Sequence, residues 1–195
     1  MTRSRISRLY DDRLARERET LAHVIRTRDD YRRYLDADRE ALGVGTGAAA
    51  LLDDVWRFQR ALRRVEFYAN TRKPRPLELA GRLWLRRQGR RLGFSIPPNV
   101  FGPGLAIAHY GTIVANGGAR VGANCRIHPS TTIGTKAGHE DAAPTIGDNA
   151  YIGPGARIFG PIILGDNVQV GANAVVTKDA PSGAVLLGIP ARPKA

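Results

Sequence analysis

The sequence predicts two parts, an N-terminal α-helical segment and an all-β parallel β-helix built from six-residue repeats. Three observations carry this. Apolar residues recur at three- and four-residue intervals across residues 8–92, the spacing of one buried helical face. From Ile96 onward that period gives way to a period of six. Within each six, a glycine and a small residue keep fixed places.

The helical part reads as residues 8–43 and 51–92. Leu21, Val24, Ile25, Tyr31, Tyr34 and Leu35 mark one apolar face, and Val55, Phe58, Leu62, Val65 and Ala69 mark another. Gly43-Val44-Gly45-Thr46-Gly47 is an expected break, since glycine is a poor residue inside a helix. A second break is expected near Lys73-Pro74-Arg75-Pro76, before a basic helix ending around Gly93.

In the repeat part, Val121, Ile127 and Ile133 stand six residues apart, and the series resumes at Ile146, Ile152, Ile158, Leu164, Val170 and Val176. Glycine follows at Gly122, Gly134, Gly147, Gly153, Gly165 and Gly171. A small or β-branched residue follows four places after the aliphatic one, at Cys125, Thr131, Ala150, Ala156, Val168 and Ala174. One six-residue unit cannot bury its own aliphatic side chain. Coils stacked at the ~4.8 Å spacing of hydrogen-bonded strands place aliphatic on aliphatic and make a continuous column. The glycines are expected to serve a positive φ or a close approach at the corners.

The step between Ile133 and Ile146 is irregular, so a loop over residues 136–145 is expected to leave the coil. Loops on a rigid scaffold are frequent carriers of function. The parts are therefore residues 1–93, helical, and residues 94–195, the β-helix. Cys125, the single cysteine, allows no intrachain disulfide and falls in the small-residue slot, where it reads as core.

The net charge is +12 and is unevenly placed. Residues 1–95 hold 23 Lys and Arg against 13 Asp and Glu, whereas residues 96–195 hold 7 against 5. Such a balance is compatible with nucleic-acid or membrane-surface contact, but the interspersed acids favour a solvated helical surface. No aromatic-interleaved nucleic-acid motif accompanies the arginines, and no nucleic-acid partner is expected. No run of 18 apolar residues appears and the first residues lack an apolar leader, so a cytoplasmic protein without a membrane span is expected.

At Ile107-Ala108-His109-Tyr110-Gly111-Thr112-Ile113-Val114 the chain resembles the catalytic-histidine segment of serine acetyltransferases. The loop one coil later and the ending Gly188-Ile189-Pro190-Ala191-Arg192 are similar to that family as well. The resemblance covers roughly residues 80–192 and leans towards the short members encoded with surface-polysaccharide genes. It implies a left-handed β-helix that assembles as a homotrimer, possibly a dimer of trimers, with active sites between subunits and acetyl-CoA along the groove. It also implies a histidine base, which falls on His109. Gly134, Thr135, the backbone around Gly153 and Ala156, and Gly188, Ile189 and Arg192 would border acetyl-CoA.

An imidazole with pKa near ~6.5 can take the proton of an attacking hydroxyl at neutral pH. His128 is the second candidate base, expected to point outward. His139 in the loop, with Asp36 and Asp38 from the helices, are candidate acceptor contacts. The resemblance departs in two places. The family's carboxylate partner of the histidine falls on Phe94, leaving a backbone carbonyl or Asp36, Asp38 or Glu66 as substitutes. The family's acceptor-gripping Arg-His pair falls on Ala142-Ala143. The acceptor implied is L-serine, with a sugar hydroxyl of a polysaccharide precursor as the alternative. The tail lacks the extension that engages cysteine synthase, so no such complex is expected.

Two other classes were weighed. A three-histidine metal site on a β-helix needs two histidines five apart, and His109, His128 and His139 stand 19 and 11 apart, so no metal is expected. A non-enzymatic scaffold would use the arginines but leave the His109 segment without a role.

Overall fold

The computed structural model describes residues 24–71, 74–138 and 142–193. Among the described residues four helices come first: α1 (Arg28–Leu42), α2 (Ala48–Leu52), α3 (Asp54–Asn70) and α4 (Arg75–Leu92). Thr27 starts α1 with a capping box: its hydroxyl accepts from Asp30 N at 3.0 Å while Asp30 Oδ2 accepts from Thr27 N at 3.0 Å. Residues 24–27 therefore lie outside the helix, although Ile25 remains buried. Gly43 ends α1 in the left-handed region, and Asp53 caps α3 by accepting from Trp56 N at 2.7 Å. The Asp53 cap divides the expected helical stretch over 51–92, and the break expected near Pro74 lies before α4. Phe58, Leu62 and Val65 form the buried stripe of α3. Leu21 and the segment 8–23 lie outside the described residues.

Fourteen short strands follow and form three sheets. The first face contains β1 (Phe94–Ser95), β3 (Ile113–Ala115), β6 (Thr131–Gly134), β9 (Arg157–Phe159) and β12 (Val175–Val176). The second contains β4 (Arg120–Val121), β7 (Thr145–Ile146) and β10 (Ile163–Leu164). The third contains β2 (Ala106–Ile107), β5 (Arg126–Ile127), β8 (Tyr151–Ile152), β11 (Gln169–Val170), β13 (Val185–Gly188) and β14 (Ala191–Pro193). All pairings are parallel except β13 with β14. The register matches three hexads per coil: Ile152 pairs with Val170 and Ile158 with Val176, each 18 residues on. Across the loop, Ile127 pairs with Ile152 and Ile133 with Ile158, a step of 25 that leaves seven residues outside the repeat.

The aliphatic columns are dry. Ile127, Ile133, Ile152, Ile158 and Leu164 are fully buried, and Cys125, Ala156 and Ala174 fill the small slots beside them. In the coil of His109 the two sizes exchange places. Ile113 stands opposite Thr131 in the small slot and Ala115 opposite Ile133 in the large one, which conserves volume. The glycines after the aliphatic residues serve close approach. A Cβ on Gly153 would stand 2.8 Å from Val170 O, and its φ is not positive. The left-handed corner positions belong largely to asparagine, at Asn124, Asn149, Asn167 and Asn173. Asn124 Nδ2 donates to Asn149 Oδ1 at 3.1 Å, and Asn149 Nδ2 to Asn167 Oδ1 at 3.2 Å, giving a ladder along one corner.

The helices close one end of the column. Residues 99–105 belong to the first coil, whose strands end their sheets, so no preceding coil can satisfy its backbone. Buried side chains do so instead. Arg63 donates to Phe101 O at 2.8 Å and Gly102 O at 2.7 Å, and Gln59 Nε2 to Leu105 O at 2.6 Å. Glu66 Oε1 accepts from Asn99 N at 2.8 Å. The arginine-rich segment is therefore not uniformly a solvated surface, because Arg63 is completely buried. Phe58 packs edge-on against Phe94 at 4.9 Å, and one core cluster runs from α3 to β13.

Candidate active site

His109 lies where the chain leaves the third face and turns onto the first. Both flanks are pinned, Ala108 N donating to Ile127 O at 3.0 Å and Gly111 N to Leu92 O at 2.9 Å. Gly111 takes φ 136°, and a Cβ there would stand 3.0 Å from the Cβ of Pro129. His109 and Tyr110 are left exposed on this short corner. Among the described residues the His109 ring makes no hydrogen bond, so both nitrogens are accessible.

The next coil places His128 at the same corner: Ile107 pairs with Ile127, so Ala108 follows the one and His128 the other, with His109 one residue further on. His128 Nδ1 lies 3.0 Å from Ile152 O. A carbonyl only accepts, so this contact requires the hydrogen on Nδ1 and leaves the Nε2 lone pair free. The Tyr151 ring lies 4.9 Å away, and Thr131 Oγ1 donates to His128 O at 2.8 Å. Arg157 Nη1 braces the same corner through Ser130 O and Gly155 O.

Gly153 and Ala156 stand on this corner too. Gly153 N donates to Val170 O at 2.8 Å and Ala156 N to Gly153 O at 3.3 Å. Ala156 is wholly buried, and its carbonyl accepts from Thr132 N at 2.9 Å. The Gly153 amide thus ties this coil to the next, and the Ala156 amide closes the turn within its own coil.

Gly134 and Thr135 lie at the opposite edge of the first face, beside a cavity of about 720 Å³. Lys136, Phe159, Pro161, Ile162, Thr177 and Lys178 line it. A Cβ on Gly134 would meet the Phe159 ring at 3.0 Å, so the ring rests on the glycine. Lys136 and Lys178 are the only lysines among the described residues, and neither is ion-paired within them. Asp179 is tied down by Ile163 N at 2.8 Å. Sequence periodicity did not single out this pair; the rarity of lysine in an arginine-rich chain was the available signal.

Gly188, Ile189 and Arg192 form the β13–β14 hairpin, with Ile189 74% exposed. The strand order of the third face puts four steps between β13 and β2, about 19 Å at the usual spacing.

Two of the helix carboxylates, Asp38 and Glu66, are buried on Arg63. Asp38, expected as an acceptor contact, is fully buried on Arg63 at 2.8 Å and accepts from Gly104 N and Leu105 N at 2.9 Å. Glu66 is closed off by the same arginine, and Asp36 stands on α1 at 3.6 Å from Arg39. His139 lies outside the described residues, as does His23. Among the described residues no group of three or more His, Cys, Asp or Glu could hold a metal ion, and no helix is long and apolar enough to cross a membrane.

The stacked coils and the N-terminal helical cap define a hexapeptide-repeat protein. Residues 143–178 match the Bacterial transferase hexapeptide (six repeats) family. The chain is 36% identical over 124 residues to the serine acetyltransferase of Mycobacterium tuberculosis, covering 55% of this chain and 53% of that protein. The soybean serine acetyltransferase apoenzyme is 30% identical, with a TM-score of 0.70 over 84% of this chain and 69% of its own. The same soybean enzyme complexed with serine gives 29% identity and a TM-score of 0.70. At this identity and coverage of the soybean enzyme, the chain belongs to the serine acetyltransferase family. It spans about half the length of the curated relatives it matches.

Proposed function

We propose that the protein is an acetyl-CoA-dependent O-acetyltransferase whose acceptor is L-serine. The observation that carries this is the exposed, unencumbered His109 ring on one edge of the first face, with the two-lysine cavity on the other. Acetyl-CoA supplies an acetyl group activated as a thioester. Lys136 and Lys178 suit its phosphates, and Phe159 and Pro161 give an apolar wall. His109 takes the proton of the acceptor hydroxyl as that oxygen attacks the carbonyl carbon, holds it as imidazolium, and returns it to the departing thiolate. The exposed Thr112 backbone beside it is suited to a developing oxyanion.

The two edges are separate within one chain. A homotrimer of left-handed β-helices, with the histidine corner of one subunit against the cavity edge of its neighbour, would join them, and a dimer of trimers is compatible with it. In this reading residues 1–93 cap the column formed by residues 94–195, and the 136–145 loop covers the acceptor.

A sugar hydroxyl is the second reading, favoured by Ala142-Ala143 at the base of the loop. Ala143 is buried and would touch a Cβ placed on Gly118, so this position offers no cation for a carboxylate. Thiol release from acetyl-CoA with serine, measured against a panel of nucleotide sugars, separates the two. Turnover with serine supports the first reading, and turnover with a nucleotide sugar alone supports the second. Release with neither overturns both.

A further inference from the structure

Helix α4 is apolar on two sides. Its inner side packs Leu85 and Leu92 into the core. At 100° per residue, Pro76, Leu79, Ala80 and Leu83 fall on the side turned away from them. All four are exposed, Leu79 and Leu83 each by 60%. Trp84 flanks this stripe and is also exposed. A helix apolar on both sides needs cover on both, and an exposed apolar stripe marks a surface that meets something.

The second half of α4 says what. Arg86, Arg87, Arg90 and Arg91 follow directly and are exposed. With Arg57 of α3 and Trp84 they line an open groove of about 740 Å³. Arg91 reaches Asp54 at 3.3 Å, while Arg86, Arg87 and Arg90 have no ion pair among the described residues. The helix holds one acid, Glu78, and Arg82 occupies it at 2.8 Å. Leucines and a tryptophan followed by free arginines fit the interface of an anionic bilayer, where tryptophan sits at headgroup depth and guanidinium groups meet phosphates.

We infer that α4 docks the protein onto an anionic lipid surface, with Leu79, Leu83 and Trp84 entering the headgroup–acyl boundary and Arg86, Arg87 and Arg90 on lipid phosphates. A nucleic acid matches the arginines but leaves the leucine stripe in water. A second copy of the chain is a poor match on charge. The described carboxylates beyond residue 95 are Asp148, Asp166 and Asp179, and each accepts a backbone N–H. The acids of α1 are interleaved with Arg32, Arg33 and Arg39.

The test is co-sedimentation of the full chain with vesicles of phosphatidylcholine alone or with about one third phosphatidylglycerol. Binding is expected to the anionic vesicles alone and to fall in high salt. Bound protein should show a blue shift of tryptophan emission that Trp84→Phe abolishes, since Trp56 is already buried. Replacing Arg86, Arg87 and Arg90 by Ala should lower partitioning about a hundredfold, at roughly fivefold per charge. Leu79→Ser with Leu83→Ser should lower it at least about tenfold. These side chains are exposed, so an unchanged circular dichroism spectrum is expected in both variants. The inference is overturned by equal binding to neutral vesicles or by no binding. Retained binding in the Leu variant, or tighter binding to duplex DNA or RNA than to vesicles, also overturns it. A changed oligomeric mass in the Leu variant overturns it too, because the stripe would then be a contact between copies. None of these results depends on acetyl transfer.

Discussion

Arg63 and Asp38 form an ion pair with no solvent exposure, Nε to Oδ2 at 2.8 Å and Nη2 to Oδ1 at 3.1 Å. Asp38 also accepts two amides of the first coil, and Arg63 donates to two of its carbonyls. Removing the Asp38 charge leaves the buried Arg63 with Glu66, at 3.0 Å, as its one remaining counter-ion, and breaking a buried pair costs about 3–5 kcal/mol. Asp38→Asn should therefore destabilise the fold by about that much in chemical denaturation. A loss below about 1 kcal/mol would show that the helical cap is dispensable to the column.

Cys125 is fully buried in a small slot, and burial pushes its thiol pKa from 9.0 up to about 12. The shift has a definite sign in the linkage. Its favourable share of folding stability is complete below pH about 9 and drains away as pH rises towards 12. At pH 8 a thiol reagent should label native protein at least about a hundredfold more slowly than unfolded protein. Rapid native labelling would remove Cys125 from the core.

Lys136 and Lys178 face one cavity without carboxylate partners among the described residues. If they bind the phosphates of acetyl-CoA, replacing either with Ala should raise KM for acetyl-CoA about tenfold and leave kcat nearly unchanged. Steady-state kinetics with acetyl-CoA varied at fixed acceptor measures this. An unchanged KM in the double variant would move the cosubstrate elsewhere.

His128 is locked by Ile152 O with its Nε2 lone pair outward. His128→Ala should lower kcat about tenfold, less than the loss at His109, because the neighbouring ring remains to take the proton. A larger loss at His128, together with disappearance of the acidic limb of the pH profile, would exchange the two roles.

The column was legible in the sequence because stacking imposes a six-residue period on side chains that share one environment. Ile127, Ile152 and Val170 announce themselves by spacing alone. The seven residues that break the step before Ile146 were legible for the same reason. The end cap was not, since Arg63, Asp38, Glu66 and Gln59 are joined only by burial against Asn99–Leu105. In the sequence, Arg63 is indistinguishable from its exposed neighbour Arg64. The Asn124–Asn149–Asn167 corner ladder is not legible in the sequence, because the repeat's landmarks are aliphatic, glycine and small residues and none of them marks the asparagines.

The most direct test of the proposed chemistry is thiol release from acetyl-CoA with and without serine, comparing the wild-type protein with His109→Ala. The account predicts serine-dependent release that falls by about 10²–10⁴ in kcat on substitution while the protein stays folded. Undiminished serine-dependent turnover in His109→Ala would contradict it.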